Sequence, residues 1–324
     1  MIIVTGAAGF IGSAIVWQLN QEGITDIIVT DKMRDGNKWR NLAKLKYYDW
    51  VDKDELFDFL AVEENAKKIT AIIHMGAISA TTEKNVDLLM SNNYKFTMKL
   101  WEFCTEHDVQ YIYASSAATY GGGELGYDDN HLTIPQLRPL NPYGYSKQLF
   151  DEWALKQEKT PSKWQGLKFF NVYGPQEYHK GRMASVIFHA FNQTREKGEV
   201  NLFKSYKQGY VDGGQLRDFV YVKDITEVIV FMLKANIENG LYNLGSGEAR
   251  SFFDLAKNTM VAMGEEPKIN FIEMPIDIRD KYQYFTQANM EKLKRNGYTK
   301  PFHTLEEGIS DYVKNYLLQE DSYL

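Results

Sequence analysis

Two groups of residues in this chain have types and spacings that could do chemistry. Tyr143 and Lys147 stand four apart in Tyr143-Gly144-Tyr145-Ser146-Lys147, which on a helix puts both on one face, a single turn apart. An ammonium beside a phenol favours the phenolate. It draws a tyrosine pKa down from about 10 towards a range where the side chain can take a proton from an alcohol. The same lysine can donate to the ribose hydroxyls of a bound nucleotide. Ser116, in Ala114-Ser115-Ser116-Ala117-Ala118-Thr119-Tyr120-Gly121, adds a hydroxyl at the carboxyl end of an apolar strand, where ligands of open α/β sheets lie.

The second group is Gly6, Gly9 and Gly12 in Gly6-Ala7-Ala8-Gly9-Phe10-Ile11-Gly12, between a strand and a helix. A side chain at Gly6 or Gly9 would block the backbone's approach to a pyrophosphate, and Gly12 lets the helix pack on the strand. The unpaired amides at the helix N-terminus then face the phosphate charge. The spacing is G-x-x-G-x-x-G. Asp31 ends the second strand, where an acidic side chain can accept hydrogen bonds from an adenosine ribose. Lys32, Arg34 and Lys38 follow it and would offset the charge of a 2′-phosphate. Asp31 alone favours NAD and its basic neighbours favour NADP; the reading is NADP, with NAD as the alternative, one cofactor per subunit.

The elements that must hold these groups are legible as alternating strands and helices. Ile2–Thr5, Asp26–Thr30, Ala71–His74 and Gln110–Ala114 read as strands. Ser13–Gln21, Leu88–Glu106 and a segment from about 143 to 157 carry apolar residues at helical spacing. Leu167–Val172 continues the sheet. The fold class is α/β, a Rossmann-like doubly wound parallel sheet with a smaller mixed α/β substrate-binding lobe. Residues 1–175 are assigned mainly to the nucleotide-binding domain and 176–324 mainly to the lobe, with about 216–235 returning to the first. In the second half, strands are expected at Val200–Phe203 and Gly240–Leu244, and helices at Ala184–Lys197, Asp224–Lys234 and Ser251–Met263. The glycine-rich, polar segment 206–215 reads as a surface loop.

Composition limits the partners. The chain has 324 residues, 44% hydrophobic and 25% charged, with a net charge of −6, so nucleic acid is not its main partner. No apolar run approaches the roughly 20 residues of a membrane span, so no membrane partner is expected. One cysteine, Cys104, cannot pair within the chain, and the start lacks a cleavable leader, so the expected location is cytoplasmic. No clustered histidines or cysteines suggest a metal. The absence of G-x-S-x-G and of GxxxxGK[ST] argues against a serine hydrolase and against ATP hydrolysis.

Taken together, the glycine loop, SSAATYG, YxxxK, NVYGP and RDFVYVKD resemble the extended short-chain dehydrogenase/reductase superfamily of nucleotide-sugar epimerases and dehydratases. Within it, MIIVTGAAGFIGS, ITDIIVTDKMRDGNKWRNL, NPYGYSKQLFDE, FFNVYGPQEYHKGRMAS and YQYFTQAN are similar to the ADP-heptose 6-epimerase subfamily, from residue 1 to about 316. The resemblance implies an isomerase that inverts C6″ of ADP-D-glycero-D-manno-heptose. NADP would take hydride to leave a ketone and return it to the other face, supplying heptose for the lipopolysaccharide core.

It also implies roles by position. Tyr143 matches the acid/base tyrosine, Lys147 its partner, Ser116 the hydroxyl that holds the reacting oxygen, and Lys180 a second acid/base residue for the opposite stereochemical direction. Phe10, Ile11, Asp31, Lys32, Lys38, Lys53, Met75, Gly76, Ala77, Ile78, Ser79, Asn92, Val172 and Lys180 match cofactor contacts. Asn171, Arg182, His189, Phe203, Lys204, Ser205, Arg217 and Tyr282 match substrate contacts, with Arg217 suited to a diphosphate. A homo-oligomer is implied as well. Two positions depart from the pattern: Lys32 stands where asparagine is usual, and Arg182 replaces a small serine. The rival readings are another nucleotide-sugar epimerase and a non-catalytic NAD(P)-binding sensor. Dehydration is disfavoured because Ala117, where dehydratases carry an acid, follows Ser116.

Overall fold

The computed structural model describes residues 1–34, 36–279 and 282–324. Among the described residues twelve strands follow in chain order: β1 (Ile2–Thr5), β2 (Ile27–Asp31), β3 (Asp49–Asp52), β4 (Ala71–His74), β5 (Gln110–Ser116), β6 (Trp164–Phe169), β7 (Asn171–Tyr173), β8 (Val200–Phe203), β9 (Leu216–Tyr221), β10 (Gly240–Leu244), β11 (Ala249–Ser251) and β12 (Ile269–Ile272). The main sheet has the order β10-β6-β5-β4-β1-β2-β3, and every pair in it is parallel. Its central strands are buried on both faces, so they read as unbroken apolar runs such as IIVT and AIIH. Strand order reverses between β1 and β4. A crevice therefore opens at their carboxyl ends, beside Gly6 and Met75.

Helices α1 (Phe10–Gln21), α2 (Phe96–Glu106) and α3 (Pro142–Leu155) lie in the first half of the chain. The helical run expected at 88–106 is divided. A short helix over Val86–Leu89 passes through a π-helical turn, Met90–Lys95, into α2. Further on come α4 (Val186–Lys197), α5 (Val222–Lys234), α6 (Phe252–Ala262) and α7 (Leu305–Tyr312).

The expected strand Leu167–Val172 is broken at Phe170. β6 stays in the main sheet, whereas β7 joins β9 and β11 in a second sheet of three strands. β8 and β12 form a third, of two. Within the expected 216–235 segment, α5 packs on α1 while β9 lies in the second sheet, and the chain rejoins the main sheet through β10. Among the described residues no helix is long and apolar enough to cross a membrane.

Candidate active site

The glycine loop is fixed by close backbone contact. Gly6 has φ +64°, and a Cβ there would lie 2.6 Å from the backbone of Gly76. At Gly12 a Cβ would lie 2.1 Å from the Gly6 carbonyl oxygen. α1 begins at N-cap Gly9 with no side-chain cap, so its first amides are left for a ligand's negative charge. These features fit a dinucleotide pyrophosphate.

The loop after β4 is tied in from two sides. The Thr5 hydroxyl meets His74 Nδ1 at 2.6 Å and accepts from the Gly76 amide at 3.1 Å. Buried Asn93, in the π-helical turn, accepts from the Ile78 amide and donates to the Ile78 carbonyl, each at 2.9 Å, and donates to Ser146 of α3 at 3.1 Å. Asn93 thus clamps the segment Met75–Ser79 to the helix carrying Tyr143. Its sequence neighbour Asn92 donates to it at 3.1 Å.

Around the second strand the charges are paired. The Asp31 carboxylate accepts from the Ala8 amide at 2.9 Å and the Lys32 amide at 2.7 Å, and forms an ion pair with Lys38. Its oxygens therefore brace the glycine loop. Lys32 is paired with Asp52 at 2.8 Å and Asp54 at 2.5 Å. Lys53 lies over the Phe96 ring at 4.8 Å, and its pKa is lowered first by burial and also by the charges of Lys32 and Arg34. Asn41 spans the site: its side-chain amide donates to Ala8 O and Gln176 O, each at 3.0 Å, joining the glycine loop to the segment that carries Lys180.

Asn141 caps α3 by accepting from the Gly144 amide at 2.8 Å, and Pro142 supplies the first-turn φ, so Tyr143 and Lys147 follow on one face. Ser116 closes β5 and accepts from the Ala118 amide at 3.1 Å, and its hydroxyl stands near enough to the Tyr143 phenol to draw its pKa down. Lys147 is 4% exposed and donates to the Ala114 carbonyl at 2.7 Å; burial lowers its pKa to about 8.

The expected drop in the Tyr143 pKa is not what the geometry produces. Burial pushes the phenol up, the Ser116 hydrogen bond works against this, and the Asp151 charge adds to it. The Lys147 ammonium is turned to a main-chain carbonyl, so burial wins. Lys180 lies over the Phe10 ring at 5.2 Å, and its pKa is lowered by burial against the opposing charge of Glu177. Phe10 is buried and Ile11 is partly exposed in the first turn of α1.

Arg217, 7% exposed on β9, sits between aromatic rings, 5.3 Å from Tyr282 and 5.7 Å from Phe252. Its guanidinium donates to the carbonyls of Leu216 and Gln283, and Gln283 in turn donates to the Gly121 carbonyl, beyond Ser116. Asn171 is exposed and Val172 half-buried on β7, while His189 is half-buried on α4. Phe203 ends β8; Lys204 is paired with Glu273 at 2.7 Å, and the Ser205 amide donates to Asp212 at 2.7 Å. Arg182 is exposed, next to Gly181 with φ +51°. The 206–215 segment packs on this side, with Tyr210 5.1 Å from Tyr284. Asn41 and Asn93 were not signalled by any motif, because each acts on residues distant in the chain.

A model of the NAD dependent epimerase/dehydratase family matches residues 2–245. The chain belongs to this family. Over the full length of both chains it is 58% identical to an ADP-L-glycero-D-manno-heptose-6-epimerase of Fusobacterium nucleatum. To the protein of the same name from Nitratidesulfovibrio vulgaris it is 48% identical, again over both full lengths. The crystal structure of the Helicobacter pylori ADP-L-glycero-D-manno-heptose-6-epimerase superposes with a TM-score of 0.82 at 30% identity, covering 97% of this chain and 95% of that one. Members of the family bind a nicotinamide cofactor, and the Thermus thermophilus UDP-glucose 4-epimerase, 25% identical with a TM-score of 0.74, was solved with NAD.

Proposed function

We propose that the protein epimerises ADP-D-glycero-D-manno-heptose to ADP-L-glycero-D-manno-heptose at C6″. The observation that carries this reading is full-length identity of 58% to a relative of that name, joined to Tyr143 and Lys147 one turn apart on α3 and Ser116 at the carboxyl end of β5. NADP, when bound, supplies reversible hydride exchange, so the sugar is oxidised and re-reduced with no net redox change. Gly6, Gly9 and Gly12 admit its pyrophosphate. Arg34 and Lys38 follow Asp31 in the chain, and the Lys53 amide donates to the Asp31 carbonyl at 3.3 Å; these cations beside the ribose-binding strand end support NADP over NAD.

At the sugar, Ser116 holds the C6″ oxygen, Tyr143 takes and returns its proton, and Lys147 donates to ribose hydroxyls. Lys180, whose pKa burial lowers against the opposing charge of Glu177, serves the other orientation of the carbonyl. Arg217 holds the diphosphate between Tyr282 and Phe252. Of the remaining substrate positions, Asn171 lies near the end of the nucleotide-binding part, and Arg182, His189, Phe203, Lys204 and Ser205 lie within 176–324, which acts mainly as the substrate lobe. The enzyme works in the cytoplasm as a homo-oligomer and feeds lipopolysaccharide core synthesis.

The test is incubation with ADP-D-glycero-D-manno-heptose and NADP, following C6″ stereochemistry by NMR. Conversion to an equilibrium mixture of the two epimers is expected. A protein that binds NADP tightly and leaves the sugar unchanged would be a sensor rather than an epimerase.

A further inference from the structure

Beneath the proton-transfer residues lies a fully buried ion pair. Lys168 Nζ stands 2.7 Å from Asp151 Oδ2, and both residues are 0% exposed. The Asp151 carboxylate also accepts from the hydroxyls of Ser115 at 2.6 Å and Tyr113 at 3.0 Å. Lys168 donates in addition to the Thr119 hydroxyl at 2.8 Å, and Thr119 donates to the Ser116 carbonyl at 2.7 Å.

The placement is specific. Asp151 lies on α3 one turn beyond Lys147 and two beyond Tyr143. Ser115 and Thr119 flank Ser116, and Lys168 is the register partner of Ser115 on β6. One carboxylate therefore joins the three elements that carry or adjoin Ser116, Tyr143 and Lys147. Burying two charges costs several kcal/mol per ion, and a well-packed apolar pair commonly folds as well or better. Stability alone thus gives no reason for charges here.

We propose that Asp151 and Lys168 are positioning residues: their buried pair fixes Ser116, Tyr143 and Lys147 in register, and the Asp151 carboxylate sets the field in which Tyr143 and Lys147 hold and exchange protons. This rests on the epimerase reading of those three residues. The Asp151 charge favours the ammonium form of Lys147 against burial and disfavours the phenolate of Tyr143. The other groups facing the cluster are His74 from β4, Tyr113 from β5, Lys168 from β6, and Tyr120 and His131 from the segment between β5 and α3. Burial holds His74 well below its usual pKa and His131 at about 4, and it raises both tyrosines.

The experiment compares Asp151→Asn and the double variant Asp151→Leu/Lys168→Met with wild type. It measures kcat and KM from about pH 6 to 9.5, together with NADP affinity. In Asp151→Asn the alkaline limb of kcat moves to lower pH, and kcat near pH 8 falls about tenfold, while KM stays within about threefold. The double variant, with an apolar pair in the same volume, unfolds no more easily than wild type yet shows the same displaced limb. A double variant with wild-type kcat and pH profile overturns the proposal, and it decides the matter even if Asp151→Asn does not fold.

Titration of the Lys147 side-chain carbon signal in carbon-13 lysine-labelled protein separates the two readings. If wild type does not turn over the sugar, the epimerase reading fails. The titration still shows whether removing the Asp151 charge moves Lys147 to lower pH, and no movement overturns the positioning role.

Discussion

Lys147 offers a test in which stability and function are expected to move in opposite directions. Its ammonium is buried, and its pKa stands at about 8 against an ordinary 10.5. The folded state therefore disfavours the charge by about 2.5 pKa units, or about 3 kcal/mol at about 1.4 kcal/mol per unit. Methionine has a similar length and no charge. Replacing Lys147 by Met removes this penalty and also the hydrogen bond to Ala114 at 2.7 Å, worth about 1 kcal/mol. Lys147→Met is thus about 2 kcal/mol more stable than wild type near pH 7, with epimerase activity lost.

The sign has a pH signature. Below about pH 8 the lysine is protonated in both folded and unfolded chains, and its full penalty is present. Between about 8 and 10.5 only the unfolded chain keeps the proton, so wild-type stability rises with pH relative to the variant. The advantage of Lys147→Met therefore shrinks to within about 0.5 kcal/mol by about pH 9.5. Urea unfolding of both proteins at about pH 7 and 9.5 reads the difference. A variant less stable than wild type at pH 7, or a gap that does not narrow with pH, refutes the reasoning.

Four further tests surround that lysine. Gly12→Ala puts a Cβ 2.1 Å from the Gly6 carbonyl, where only backbone movement can relieve the contact; NADP affinity, read by fluorescence titration, falls more than about tenfold. Asn93→Ala strips Ile78 and Ser146 of three hydrogen bonds; thermal unfolding shows a loss of about 2 kcal/mol, with weaker NADP binding. Lys38→Ala combined with Lys53→Ala lowers affinity for NADP about tenfold more than for NAD, measured by parallel titrations. Tyr143→Phe with Lys180→Ala keeps the fold and lowers kcat at least about a thousandfold; retention of full activity would remove both residues from the mechanism.

What could be read from the sequence was what is local. The glycine loop between strand and helix, and the four-residue step from Tyr143 to Lys147, are set by backbone geometry within a few residues. The parallel sheet follows from apolar runs alternating with helical periodicity. Long-range partners were beyond that reach. Asp31 reads from its place at the strand end as a ribose acceptor, but nothing local announces that its carboxylate accepts from the Ala8 amide and pairs with Lys38. The run LKFFNV looked like one strand because nothing local marks Phe170 as the point where the chain leaves the sheet. β3, whose Asp49 and Trp50 are exposed, carried no apolar run to announce it. Asn41, Asn93 and the Asp151–Lys168 pair act across 15 to 135 residues of chain, and no window of sequence contains both ends.

The charge of the molecule can now be placed. A net −6 would by itself repel an anionic nucleotide sugar, so recognition must come from local field. On the proposed reading Lys147, Lys180 and Arg217 supply it, and among the described residues none has a carboxylate within 4.0 Å as an ion-pair partner, whereas Lys32, Lys38 and Lys168 each do. Burial lowers the pKa of all three, which means that the fold holds these cations at a free-energy cost. Ligand oxygens brought beside them, ribose hydroxyls at Lys147 and the diphosphate at Arg217, would offset that cost at the moment of binding, and only in the folded chain. A group already satisfied by an internal carboxylate could not respond in this way, because a ligand would first have to break the pair. The strength of recognition at this site therefore resides in the cations the fold leaves unpaired, and the paired lysines near Asp31 contribute to it only as far as their carboxylates can be displaced.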